Sequence, residues 1–323
     1  MSLTSSPADS LPQTEVGQAL GVRLEYLITQ TQEFIHMTGY EARKDRVKIE
    51  GVPIKSALGD RADYHVDVRG ALTNPIWSEQ LRDIISRARS LLDNVMWEAV
   101  AGEDKSRYSN QERKAIYFPI AHTAGDWAAF ERTKHAQQLS AAARADFRSV
   151  QPFVTGAPVV AWLNKTNNRD KHRYPLRIAT LPDRLFAMVF AEQVAAIPGE
   201  DAPGIRWAPI VPIVDGAHLV TCSAPVTVGQ LEPVELPVAL CIEIEGDWID
   251  LQVFLQDVVE FAARATAVLL GGSTAWADEH RQRFDAERAQ MLDFQRAIAR
   301  NDMKAEQRWR NSGPGALGYF PQS

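Results

Sequence analysis

The sequence predicts an α+β protein: a helical bundle with an inserted small antiparallel β-sheet and a long charged helix towards the C-terminus. Three observations lead there. Residues 75–101 carry an unbroken apolar stripe at helical spacing, running through Trp77, Leu81, Ile84, Ile85, Ala88, Leu91, Leu92, Val95 and Ala99. Between Tyr174 and Glu245 the apolar runs are short, rich in Val and Ile and broken by proline and glycine, which is the habit of strands. Residues 276–311 hold eight basic and seven acidic side chains, with only a weak heptad through Phe284, Met291 and Ile298.

The first 17 residues are rich in Ser, Pro and Thr and read as a disordered tail. A helical core with short strands is expected over 18–173. It opens with Leu20, Leu24, Leu27, Ile28, Thr31 and Ile35 on one helical face. Alternation through Val47, Ile49, Tyr64, Val66 and Val68 predicts two short strands. Asn74 before Pro75 is a cap followed by a residue suited to the first helical position, which starts the helix over 75–101. "IYFPI" reads as extended, 124–150 as one helix broken near Leu139 or two in succession, and 158–172 as a helix that Pro175 stops. The β insertion occupies 174–248, with Asp215-Gly216 as a hairpin signal. A helix over 249–272 returns to the core and ends at Gly271-Gly272. Residues 273–323 form the charged tail helix and a loose end.

The chain has 323 residues, 24% of them charged, and a net charge of −6, so it lacks the basic excess of a generic nucleic-acid coat protein. The start has no basic and apolar leader, and no apolar run is long enough to span a bilayer. The expectation is a cytoplasmic protein without a membrane partner. Cys222 and Cys241 have no zinc spacing, and the expectation is no metal and no cofactor. "GPGALG" near the C-terminus fits a dinucleotide fingerprint in letters alone, because no strand precedes it. Glu243, Glu245 and Asp247 alternate and read as a solvated strand edge.

The segment that stands out is "NNRDKHRYPLR". Asn164, Asn168 and His172 fall on one helical face, beside Lys171 and Arg173. Residues 165–177 carry five cations against Asp170 alone, a local excess that attracts anions such as RNA or nucleotide phosphates. His172 would serve as the acid/base, Arg173 and Lys171 as phosphate electrophiles, and Asn168 as a positioning group for metal-free attack of a 2′-hydroxyl. On the long helix Arg89 and Asp93 stand four apart. If the helix ending at His172 packs on that flank, Asp93 would orient the imidazole. The competing reading is a structural knot in which the same groups only fix helix packing.

"LLDNVMW" (Leu91–Trp97), "FPI" (Phe118–Ile120), "QPF" (Gln151–Phe153) and "NNRDKHR" (Asn167–Arg173), in that order, resemble a widespread family of uncharacterised bacterial proteins. That family is distantly similar to the HEPN superfamily (higher eukaryotes and prokaryotes nucleotide-binding). The resemblance implies a helical, HEPN-like protein acting on RNA or nucleotides in bacterial defence, with Arg89 carried over as a phosphate-binding residue. The superfamily's catalytic signature is Arg followed after four to six residues by His. Here Asn94 stands where the histidine would be, so any catalysis falls to His172 on another helix. Two readings follow: a metal-free RNA- or nucleotide-acting enzyme, or a non-catalytic binding or scaffolding protein whose tail helix engages a partner or a second copy.

Overall fold

The computed structural model describes residues 6–42, 47–54, 61–68, 72–102, 104–171, 176–182, 205–207, 212–213, 216, 218–222, 234–235 and 238–299. Its elements in chain order are α1 (Glu15–Ala42), β1 (Val47–Ile54), β2 (Arg61–Val68), α2 (Pro75–Ala101), α3 (Asn110–Lys114), α4 (Ala124–Glu131), α5 (Lys134–Gln138), α6 (Ala141–Ser149), α7 (Pro152–Thr155), α8 (Val159–Lys171), β3 (Ile178–Pro182), β4 (Ile205–Trp207), β5 (His218–Cys222), β6 (Val234–Glu235), β7 (Val238–Ile244), β8 (Asp247–Asp250), α9 (Leu251–Leu270) and α10 (Ala275–Ala299).

The helical body is built where apolar stripes meet. α2 buries its stripe from Trp77 to Ala101, and its start is fixed as the sequence predicts, with the Asn74 side chain accepting from the Ile76 N–H ahead of Pro75. α9 is buried on most of its circumference, through Phe254, Leu255, Val258, Phe261, Ala262 and Ala265, because it packs against α1, α2, α6, α8 and β7 at once. Each large side chain in this core adds roughly 1.5–3 kcal/mol of apolar burial. The 124–150 region is three short helices, each opened by its own threonine or serine cap: Thr123, Thr133 and Ser140.

The strands form two antiparallel sheets among the described residues. One has the order β4-β5-β2-β1-β6 and so joins the strand pair before α2 with strands from the β insertion. The other, β3-β7-β8, lies against the helices, with Leu240, Ile242 and Ile244 turned into the core. Its β7–β8 connection is a two-residue turn, since Ile244 pairs with Asp247. Both turn residues have positive φ, Glu245 at 56° and Gly246 at 92°.

The N-terminal stretch departs from the expected tail. From Ser6 it is a capped 3-10 turn, Pro7–Ser10, followed by the buried Leu11. The Ser273 N–H donates to the Ser10 carbonyl at 2.8 Å. Gly272 permits this approach, since a Cβ there would sit 2.4 Å from the same oxygen. α10 starts at this junction and is anchored on α9 by Trp276, Ala277 and Phe284. Ion pairs reinforce it, from Arg281 to Asp257 and Glu260 and from Arg264 to Asp278. Past Phe284 the side chains of Asp285, Ala286, Arg288, Ala289 and Gln290 are exposed. No helix among the described residues is long and apolar enough to cross a membrane.

Candidate functional site

Arg89 and Asp93 occupy one flank of α2, where their i, i+4 spacing brings the Arg89 Nη2 within 3.0 Å of the Asp93 Oδ1. Arg89 is nearly withdrawn from water at 9% exposed, while Asp93 keeps 24% of its side-chain surface in solvent. The role of the pair is visible in a third group, the backbone of Phe118. Arg89 Nη2 donates to the Phe118 carbonyl at 2.9 Å, and Asp93 Oδ1 accepts from the Phe118 N–H at 2.9 Å. The two side chains therefore satisfy both backbone groups of a residue that lies outside helix and strand, as a neighbouring strand would. The cost of burying these charges is offset by their mutual attraction and by these two hydrogen bonds. The second terminal nitrogen, Arg89 Nη1, is buried without a partner among the described residues.

Three residues further on, the same segment is held again. Gln151, fully buried, accepts from the Ala121 N–H at 2.8 Å and donates from Nε2 to the Phe147 carbonyl at 2.9 Å. Between these two fixings the Phe118 ring packs against Phe147 and Phe261, at centroid distances of 5.7 and 6.1 Å. The motifs around Asp93, Phe118 and Gln151 thus meet as one brace. In the sequence Gln151 enters only as the first residue of the QPF motif, with no role assigned to its side chain. A polar side chain between the apolar Val150 and Phe153 was the available signal.

The second cluster lies where α8 meets the β3-β7-β8 sheet. Lys165 on α8 pairs with Glu245 at the hairpin turn. Arg177, just before β3, donates from Nη1 to Glu243 Oε2 at 2.7 Å, and the Glu243 N–H donates to the Arg177 carbonyl at 3.0 Å. The Arg177 guanidinium also lies over the Trp248 ring, 5.6 Å from its centroid. Two of the five cations in the basic segment are therefore matched by carboxylates some 70 residues later. Of the trio expected at a solvated edge, Glu245 and Asp247 are exposed, whereas Glu243 keeps only 15% of its side-chain surface in solvent. β7 ends at Ile244, Glu245 is a turn residue, and Glu243 and Glu245 both serve the basic segment. A residue with a Cβ in the left-handed region costs about 1–2 kcal/mol relative to glycine, so Glu245 sits there at a penalty.

The remaining candidates fall at the end of α8. Asn168 and Lys171 lie in its last turn, where the backbone alone is described. His172 and Arg173 lie outside the described residues. The carbonyl of Leu176, the next described residue, accepts from the Ser78 hydroxyl at 3.0 Å, and Leu176 is thereby tied to the first turn of α2. Asp93 stands fifteen residues further along the same helix, about 22 Å away at 1.5 Å per residue. No group of three or more His, Cys, Asp or Glu side chains among the described residues is placed to hold a metal ion. Set against family models, curated proteins and solved structures, the chain matches none of them.

Proposed function

We propose that this chain is a non-catalytic binding protein that presents the basic end of α8 to RNA or nucleotide phosphates and performs no chemistry on them. The observation that carries the reading is the brace at Phe118. Arg89 and Asp93, the groups a phosphate-cleaving site would draw from α2, are committed to the backbone of a buried segment. A guanidinium held there, 9% exposed, is poorly placed to meet a substrate phosphate. The cations at the two limits of the basic segment supply the other half of the argument. Lys165 and Arg177 keep 39% and 59% of their side-chain surface in solvent, so phosphates can reach them.

The test is incubation of purified protein with single-stranded and hairpin RNA in EDTA, beside the His172→Ala variant. The expected result is intact RNA in both reactions, with retention of RNA by the protein at low salt. Cleavage by the parent chain that disappears in a His172→Ala protein of equal melting temperature overturns the reading in favour of metal-free nuclease chemistry.

A further inference from the structure

We infer that the β7–β8 hairpin is an acidic latch: Glu243 and Glu245 hold Arg177 and Lys165 in place of the phosphates of single-stranded RNA, and must let go for the strand to bind. The inference rests on the binding reading above and adds its regulation.

Three independent features converge on the hairpin. The first is charge placement. Both carboxylates come from the same short hairpin and meet cations at either end of the basic segment, Lys165 within α8 and Arg177 after it. The second is the backbone. Among the described residues Glu245 is the one non-glycine residue with positive φ, at a turn position that glycine, asparagine or aspartate fills without strain. A long acidic side chain at this strained position reaches Lys165. The third is Trp248, directly opposite Glu243 in the β7–β8 register and beneath the Arg177 guanidinium. An aromatic ring beside a guanidinium is a platform on which a base of a single strand stacks once the arginine turns to a phosphate.

The Lys165–Glu245 pair is also suited to exchange. Glu245 is 63% and Lys165 39% exposed, so water and salt screen their attraction and a polyanion competes for the lysine on equal terms. Opening the latch frees two cations. For a single strand each phosphate neutralised adds about 0.7 to the slope of log affinity against log salt, so two cations add about 1.4.

The experiment measures binding of a fluorescent twelve-residue oligouridylate by anisotropy, across a salt series, to the full chain and three variants. Glu243→Gln/Glu245→Gln is expected to bind about tenfold tighter at low salt, with a slope steeper by about 1.4. Glu245→Gly removes one carboxylate and relieves the turn, and is expected to bind more tightly with no loss of melting temperature. Glu33→Gln/Glu131→Gln removes two exposed carboxylates elsewhere and is expected to leave the slope unchanged. A latch variant that binds like the parent, or a control that tightens as much as the latch variant, overturns the latch while RNA binding stands. Absence of binding by every protein overturns the binding reading itself, and the latch with it.

Discussion

Arg89–Asp93 and Arg177–Glu243 are the same chemical pair at nearly the same distance, 3.0 and 2.7 Å, yet they do different work in the molecule. In the first pair the arginine side chain is 11% exposed, and both partners also bind the backbone of Phe118, which pairs with no strand among the described residues. In the second the guanidinium retains 59%, lies on an aromatic ring, and faces solvent. Burial of the arginine decides the difference, because the carboxylates run the other way, with Asp93 24% and Glu243 15% exposed. A paired charge that cannot reach water becomes a fixed part of the frame, whereas one that can reach water exchanges partners at little cost. The α9–α10 interface stands between these extremes, with Arg281 37% exposed over Asp257 and Glu260, which are 16% and 14% exposed.

The most forceful way to break the comparison is Arg89→Ala. It leaves the buried Phe118 carbonyl without its donor and the partly exposed Asp93 carboxylate without its cation, and about 3 kcal/mol of unfolding free energy is expected to go. Urea denaturation reads this directly. A loss below about 1 kcal/mol would place the Arg89 pair with the exposed ones.

His280 sharpens the middle case. Its Nε2 is buried without a partner among the described residues, and its ring lies against Trp276 at 4.8 Å. Burial pushes its pKa down from 6.5 to about 4, with Arg283 and Arg281 adding to the shift and Glu260 opposing it. A histidine whose folded pKa is depressed contributes stability that is complete above its unfolded value and is lost as pH falls from about 6.5 to 4. The shift corresponds to about 3 kcal/mol at most. Asp257 works in the opposite direction, because burial raises its pKa and protonation relieves that cost. Denaturation at pH 7, 5.5 and 4.5 should therefore show a loss in the parent that is smaller in His280→Gln. Identical pH profiles would mean that the imidazole is not buried in solution.

The smallest effect belongs to the exposed cluster. Lys165→Gln removes a cation from a pair in open solvent and is expected to change stability by less than about 1 kcal/mol, measured by thermal melting. A larger loss would make this pair part of the frame too, and would sink the idea that it exchanges.

Local patterning made most of the helical body legible. The α2 boundaries follow from Asn74, Pro75 and the stripe that begins at Trp77, while the end of α9 follows from Gly271 in the left-handed conformation. β1 and β2 follow from alternation alone. The 124–150 region was harder, because a serine or threonine mid-pattern reads equally as a surface residue or as a cap until the chain is seen to turn. At the candidate site the spacing of Arg89 and Asp93 was plain, whereas their partner, the backbone of Phe118, carries no sequence signature at all.

Pattern within the chain, though not enough for the short helices α3 to α7, was enough for the long helices α1, α2, α8 and α9 and for the concentration of cations between Lys165 and Arg177. These are properties of neighbours within a turn or two of one another. It took the assembled fold to show that β1 and β2 share a sheet with strands of the β insertion, that Leu11 is buried at the foot of α10, and that Glu245 and Glu243 answer Lys165 on α8 and Arg177 beyond it. The physical reason is that a charge or a backbone amide has no fixed meaning until burial sets its dielectric surroundings and supplies a partner. Burial is a property of the assembled core and not of any short stretch of chain.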